Sequence, residues 1–248
     1  VCRVDQQPSG LGFDPDGNLL IVSMKDRRLL RLSAAALSKA ADADAAPSIA
    51  EPFADLSKLA PSLCNDMVVD SSGRAYVGNF GFERHKGEEP QATVLIRVDR
   101  DGSAHEVAAD LRFPNGTVIT PDGSTLVVAE SWGRRLTAFS IDENGDLHER
   151  RVWADLGDRV PDGICLDQQG AIWVADPRNG GVFRVHEGGE VSEEIATPGH
   201  KAYACMLAGK ERKTLYVCTA RFSGPEAEAE RTGGIETAQV EVAGAGLP

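Results

Sequence analysis

Four small polar residues stand at one fixed distance from a turn glycine. Each lies eight residues before such a glycine, and the four are Ser9, Asn65, Asn115 and Asp162. Amide and carboxylate oxygens are hard ligands that suit Ca²⁺, with Mg²⁺, Mn²⁺ and Zn²⁺ as alternatives. The spacing therefore predicts a divalent cation site if the fold brings these positions together.

The segments that carry these residues repeat along the chain. Each has an apolar strand, a polar turn and a second apolar strand, which is typical of a β-hairpin. Five segments show the pattern: 11–23, 67–79, 117–129, 164–176 and 205–219. The turn glycines of the first four are 56, 50 and 47 residues apart, and a further strand follows each hairpin. Four-stranded units of about 50 residues favour a β-propeller, in which such sheets bury their faces against one another.

The first residues of the chain extend this pattern. Residues 1–4 match the outer-strand ending of a repeat whose first three strands are absent. We therefore predict an all-β, six-bladed β-propeller with four-stranded antiparallel blades, the N-terminal blade being largely absent from this chain. A complete five-bladed ring is the alternative. No linker or shift in composition marks a boundary, so we expect a single domain over residues 1–248.

In a propeller the first strand of each blade lines the central channel, so equivalent residues of successive blades form a ring. This predicts that Asn65, Asn115 and Asp162 share a metal ion. The second strands end at the same rim, which makes Asn79, Glu130 and Asp176 candidates for substrate contact, together with Asn65. Asn-Gly and Asp-Gly pairs are also common turn formers. The shared register nevertheless favours a common site.

Composition excludes several classes of function. The chain has 38 acidic and 26 basic residues, a net charge of −12, and only short apolar runs. We therefore expect no nucleic-acid partner, no membrane partner and no bilayer span, whereas a cation or a neutral small molecule suits the charge. The five cysteines form no C-x-x-C pair, which favours a cytoplasmic location, and Cys165 and Cys218 lie in apolar runs typical of buried thiols. The oligomeric state stays open.

With these residues in hand, the chain resembles the SMP-30/gluconolactonase family of six-bladed propellers. The resemblance covers essentially the whole chain and ends on the closing strand GGIETAQVEV. Three pieces carry it: Asn65-Asp66 with VVDSSGRAYVGN, Phe113-Pro114-Asn115-Gly116 with ITPDGSTLVVAES, and Pro161-Asp162-Gly163 with CLDQQGAIWVADP.

The resemblance implies a metal-dependent lactonase. It makes Asn115 and Asp162 metal ligands, Asn65 a ligand or substrate contact, and Asp162 the general base or nucleophile. Two departures accompany it. The family's Glu ligand belongs to a Glu-Gly-Pro motif upstream of the residues present here. Leu63 stands where some sugar-lactonase relatives carry a substrate-binding Arg, so the resemblance does not extend to polyol recognition at that point.

The leading hypothesis is hydrolysis of a small-molecule lactone, such as a sugar lactone or a related cyclic ester. The metal would polarise the ring carbonyl and Asp162 would act on water as general base. Hydrolysis of a phosphoester or phosphofluoridate on the same scaffold is a second hypothesis. A non-catalytic scaffold, in which a channel metal only ties the blades together, is a third.

Overall fold

The computed structural model describes residues 2–39, 48–83, 86–221 and 229–246. The chain divides into two compact units, residues 1–114 with 143–147 and residues 115–142 with 148–248. In the described ranges the secondary structure consists mainly of strands, with little helix, so the protein is all-β as predicted. None of the described helical segments is long and apolar enough to cross a membrane.

The first unit contains two four-stranded antiparallel sheets whose strands are neighbours in sequence and in space. The first sheet comprises β1 (Pro8–Phe13), β2 (Leu19–Ser23), β3 (Arg28–Leu32) and β4 (Glu51–Asp55), with the helix α1 (Ala34–Lys39) between β3 and β4. The second comprises β5 (Cys64–Val69), β6 (Ala75–Asn79), β7 (Thr93–Val98) and β8 (Ala104–Leu111). Apolar side chains of the two sheets form one buried core, which includes Leu20, Val22, Met67, Val77 and Ile96.

The second unit holds the remaining strands, apart from the first residues of β9 and β12, which the division assigns to the first unit. Its first sheet comprises β9 (Pro114–Ile119), β10 (Thr125–Glu130), β11 (Arg135–Ile141) and β12 (Leu147–Asp155). The next comprises β13 (Ile164–Leu166), β14 (Ile172–Asp176), β15 (Gly181–Val185) and β16 (Val191–Ala196). The last comprises β17 (Lys201–Ala208), β18 (Thr214–Ala220) and β19 (Gly234–Gln239). Buried side chains pack each sheet against the next.

The hairpin turns follow from their glycines. Gly17, Gly73, Gly123 and Gly170 all have φ between 73° and 82°, a conformation that glycine adopts without steric cost. The fifth hairpin has Arg212 at the corresponding place, two residues before its second strand, with φ of 54°. The residue eight positions before Arg212 is Ala204, so the polar position of the other four repeats is apolar in the fifth.

The number of sheets agrees only loosely with the prediction of six blades of which the first is largely absent. The described residues form five sheets and not six, and the last of these has three strands. The N-terminal residues do not form an additional blade: Cys2 makes an isolated bridge to Ser48. Cys2 and Val4 pack instead on the first sheet, against a cluster that contains Leu19 and Ile21. Their apolar side chains are therefore used to cover an existing sheet.

The prediction for Cys218 is wrong. Cys165 is buried, but Cys218 is exposed. Cys218 pairs across the sheet with Ile235 on β19, whose side chain is 69% exposed. The alternation of the strand places both side chains on the face turned towards solvent, so an apolar run does not by itself show that a thiol is buried.

Candidate functional site

Three of the four small polar residues that precede the turn glycines by eight positions are each followed directly by another glycine. Each of these three glycines lies against the backbone of the first strand of the following sheet. A Cβ at Gly10 would lie 2.5 Å from the nitrogen of Met67, and one at Gly163 would lie 2.7 Å from the Cα of Ala204. At Gly116 the corresponding distance is 2.5 Å to the nitrogen of Ile164. None of the three has a positive φ. These glycines are therefore required by close approach of two backbones and not by a turn.

This close approach brings two predicted site residues together in the second unit. The Gly116 nitrogen donates a hydrogen bond to the carbonyl oxygen of Asp162 at 3.1 Å. Asn115 on β9 and Asp162 just before β13 therefore lie on adjacent backbone segments. Asn115 is buried and Asp162 is half-buried. A half-buried carboxyl group can face both a bound ion and a small molecule arriving from solvent.

Ser131, which is not among the predicted site residues, links the same two segments. The Nδ2 atom of Asn115 lies 3.1 Å from Ser131 Oγ, and Ser131 Oγ donates to the carbonyl oxygen of Pro161 at 2.6 Å. Ser131 is 6% exposed. Its signal in the sequence is its place directly after β10, next to the selected Glu130.

Asn65 lies in the first unit, on β5, and is buried. Its Nδ2 atom donates to the carbonyl oxygen of Pro114 at 3.2 Å. Ser9 precedes Gly10, which contacts the backbone of Asp66 and Met67 next to Asn65. The position of Asn65 relative to Asn115 and Asp162 stays a prediction.

The neighbouring Asp66 is the acidic group of this segment. Burial raises the pKa of the Asp66 carboxyl to about 6, although its hydrogen bond from the Met67 nitrogen acts in the opposite direction. The loss of solvent around the charged form outweighs that single hydrogen bond.

The side chain of Asn79, at the end of β6, makes hydrogen bonds within its own sheet. Its Nδ2 atom donates to the carbonyl oxygen of Val94, and its Oδ1 atom accepts from the nitrogen of Gly81 and the hydroxyl of Thr93. These bonds hold the connection between β6 and β7. A substrate contact by Asn79 stays a prediction.

Glu130 and Asp176, at the ends of β10 and β14, have the same kind of role. Each is at most 2% exposed. The Glu130 carboxylate accepts hydrogen bonds from three side chains: Arg135, Thr137 and Arg150. Asp176 accepts from the backbone of Arg178 and Asn179 and from the Asn179 amide, which fixes the turn into β15. A buried carboxylate needs such partners, and contact with a substrate stays a prediction for both.

The donor atoms of the candidate site fit a hard cation. Within the described ranges no three His, Cys, Asp or Glu side chains are grouped to hold a metal ion. An ion at Asn115 and Asp162 would therefore be bound by one carboxylate together with amide oxygens. The Nδ2 atom of Asn115 is engaged by Ser131, and that of Asn65 is engaged by Pro114, so Oδ1 is the ligand atom each side chain would offer. Carbonyl and carboxylate oxygens are the ligands that Ca²⁺ takes in proteins.

The described residues form small antiparallel sheets, and a polar residue stands at a constant place in or just before the first strand of four of the five. These features define this chain as an all-β protein of the propeller class. The family described as the SMP-30/Gluconolactonase/LRE-like region matches residues 2–221, so the chain belongs to that family. The resemblance seen in the sequence is confirmed.

Relatives of this family include named lactonases. The 6-deoxy-6-sulfogluconolactonase of Pseudomonas putida is 29% identical over 161 residues, which are 63% of this chain and 54% of that protein. A gluconolactonase of known structure from Xanthomonas campestris is 25% identical with a TM-score of 0.69, over 87% of this chain and 70% of that one. The match covers 57% and 63% of two further curated relatives, so the chain spans less than two thirds of their length.

A calcium-binding protein, regucalcin from Agrobacterium tumefaciens, has a similar fold. It is 24% identical with a TM-score of 0.77, and the alignment covers 98% of this chain and 79% of that chain. This likeness shows the fold alone.

Proposed function

We propose that this chain is a metal-dependent hydrolase that opens a small-molecule lactone, with Asn115 and Asp162 at the reacting centre. The observation that supports the proposal is the hydrogen bond from the Gly116 nitrogen to the Asp162 carbonyl oxygen, which makes the backbone segments of Asn115 and Asp162 neighbours. Membership of a family with named lactonases supports the reaction type. Amide and carboxylate oxygens as the proposed ligand atoms support Ca²⁺ as the cation.

Asn115 and Asp162 would hold the cation, and Asn65 is proposed as a further ligand or a substrate contact. When bound, the cation supplies a positive charge that polarises the lactone carbonyl. The family's glutamate ligand is outside this set, so the protein residues proposed here supply only part of a calcium coordination shell.

Asp162 is proposed as the general base. Its ionised carboxylate accepts a proton from water as the water oxygen bonds to the carbonyl carbon. The ring C–O bond then breaks, and the proton passes to the departing alkoxide, which gives a hydroxy acid. Asp162 is only half-buried, so water and a lactone can reach it.

The substrate class is proposed to be small and neutral. The net charge of −12 favours a cation and does not favour an anionic substrate. Leu63, two residues before Asn65, is half-buried and offers no charge to the hydroxyl groups of a polyol. We therefore expect less polar lactones to be turned over better than gluconolactone.

The test is a panel of sugar lactones, aliphatic lactones and phosphoesters assayed by acid release, with calcium and then with a chelator. Lactone hydrolysis that the chelator abolishes and calcium restores is expected. Asp162→Asn, which keeps the shape of the side chain and removes its basicity, is the matched control. Turnover of phosphoesters without lactones, or full lactonase activity in Asp162→Asn, would overturn the proposal.

A further inference from the structure

Ser131 joins the two segments that carry the candidate ligands. Its hydroxyl group lies between the Asn115 amide and the Pro161 carbonyl, and Pro161 is the residue before Asp162. Ser131 and Asn115 are both buried, at 6% exposure each, so water is a poor substitute for either partner. A chain of two hydrogen bonds in this setting constrains the groups at both ends.

The direction of these two hydrogen bonds follows from the number of hydrogen atoms that each group carries. A serine hydroxyl has one hydrogen, and a backbone carbonyl can only accept. The hydroxyl hydrogen of Ser131 therefore points to Pro161, at 2.6 Å, and its oxygen must accept from Asn115. Only the nitrogen of the Asn115 amide can donate, so the amide oxygen is turned away from Ser131.

The orientation of the amide decides what Asn115 can bind. With Nδ2 on Ser131, the Oδ1 atom is presented as a ligand. A rotation of the amide by half a turn would present N–H groups, which repel a cation. Asn65 achieves the same orientation without a relay, since its Nδ2 atom donates directly to the carbonyl oxygen of Pro114.

We propose that Ser131 is a positioning residue that fixes the amide of Asn115 with its oxygen available to a cation and holds the backbone in front of Asp162. This inference rests on the proposed function for its metal, whereas the orientation of the amide does not depend on that function. Ser131 acts through Asn115 and Pro161 and need not touch the substrate itself.

The experiment is calcium titration by calorimetry of the wild-type chain and of Ser131→Ala. Loss of an outer partner of a ligand typically weakens metal binding about 10- to 100-fold, and the same rise in Kd is expected here. At saturating calcium the lactonase activity of Ser131→Ala is expected to recover, because a bound ion can itself orient the amide oxygen. The loss then lies in affinity and not in the reaction.

Ser62→Ala is the matched control. Ser62 is a buried serine whose Oγ atom donates to the carbonyl oxygen of Phe82 at 2.9 Å, so its replacement removes the same kind of bond. It is expected to leave the calcium Kd unchanged. Equal calcium affinity in Ser131→Ala and the wild type, or an equal loss in Ser62→Ala, would overturn the positioning role.

A second measurement covers the case in which Ser131→Ala does not fold. In the wild type, the NMR signal of the Asn115 side-chain amide, assigned by its loss in Asn115→Ala, is expected to exchange slowly with solvent. A freely exchanging amide would contradict the orientation. If the wild type binds no calcium, the proposed function fails, and the exchange rate still decides how the amide is oriented.

Discussion

The two asparagines of the candidate site reach the same kind of acceptor by different routes. In the first unit, Asn65 donates directly to the carbonyl oxygen of Pro114. In the second unit, Asn115 reaches the carbonyl oxygen of Pro161 through Ser131. In both cases the acceptor belongs to the proline before the next polar position of the repeat. The side-chain amide therefore has the same orientation in both repeats, although the groups that fix it differ.

The largest expected effect is at Asp162, the residue after Pro161. Asp162→Ala removes both the proposed base and a proposed metal ligand, and we expect the proposed lactonase activity to fall by about three orders of magnitude or more. The fold is expected to persist, because Asp162 is half-buried and its backbone bonds to Gly116 and Ala175 do not need the side chain. Activity with lactones and the far-ultraviolet circular dichroism spectrum check both parts. A variant that keeps its activity would remove Asp162 from the site.

The second largest effect is expected when a methyl group is added at Gly116, where two backbones lie close together. In Gly116→Ala the Cβ would lie 2.5 Å from the nitrogen of Ile164, and we expect a loss of about 1 to 3 kcal/mol in the free energy of unfolding. The matched control is Gly123→Ala, where no atom lies within 4 Å but φ is +73°, at a cost of about 1 to 2 kcal/mol.

Comparing Gly116→Ala with Gly123→Ala separates an effect on stability from an effect on the geometry of the site. Urea denaturation measures the first, and calcium affinity measures the second. Both variants lose stability, but we expect only Gly116→Ala to lose calcium affinity, because it displaces Asp162 from Asn115. An unchanged calcium affinity in Gly116→Ala would show that the contact between the two strands does not form the site.

A smaller effect compares the two asparagines directly, without metal. Asn65→Ala removes the side-chain donor from the Pro114 carbonyl, and we expect a cost of about 1 to 3 kcal/mol. Asn115→Ala leaves Pro161 with its bond from Ser131, so we expect the smaller loss there. Denaturation in the presence of chelator measures both. The reverse order would mean that Ser131 does not stand between Asn115 and Pro161 in solution.

The smallest effect concerns thiols that report on packing near Asp162. The Sγ atoms of Cys165 and Cys205 are 3.9 Å apart, and both residues are buried. Contact with Cys165 and burial raise the pKa of the Cys205 thiol well above its ordinary range. The thiolate is the reactive form, so at neutral pH we expect the exposed Cys218 to be alkylated in the folded protein, while Cys165 and Cys205 are not.

Peptide mapping after a brief treatment with iodoacetamide tests this pattern. The same treatment shows whether the site variants keep their packing, since Cys165 lies three residues after Asp162. Alkylation of Cys165 in the wild type would show that β13 opens in solution.

The sequence predicts the hairpins well because each is encoded locally. A turn glycine with positive φ, flanked by two apolar runs, specifies β1–β2, β5–β6, β9–β10 and β13–β14 without information from elsewhere in the chain. The fifth hairpin was also predicted, although Arg212 takes the place of the glycine. Its apolar alternation was sufficient.

The features that the sequence did not predict depend on neighbours distant in the chain. Residues 1–4 have the pattern of an outer strand, but the use of Cys2 and Val4 depends on the apolar face they cover. Cys218 has apolar neighbours in the sequence, but its side chain is exposed to solvent in the structure. Ser131 carries no motif, because its role arises from partners 16 and 30 residues away.

The glycines at positions 10, 116 and 163 bring backbone against backbone, so the spacing between successive first strands does not depend on the side chain that precedes each glycine. That preceding side chain is a serine, an asparagine and an aspartate in the three cases. A framework set by main-chain contact leaves these positions interchangeable: an engineer could vary them together to recruit a different ion or reaction without redesigning the sheets.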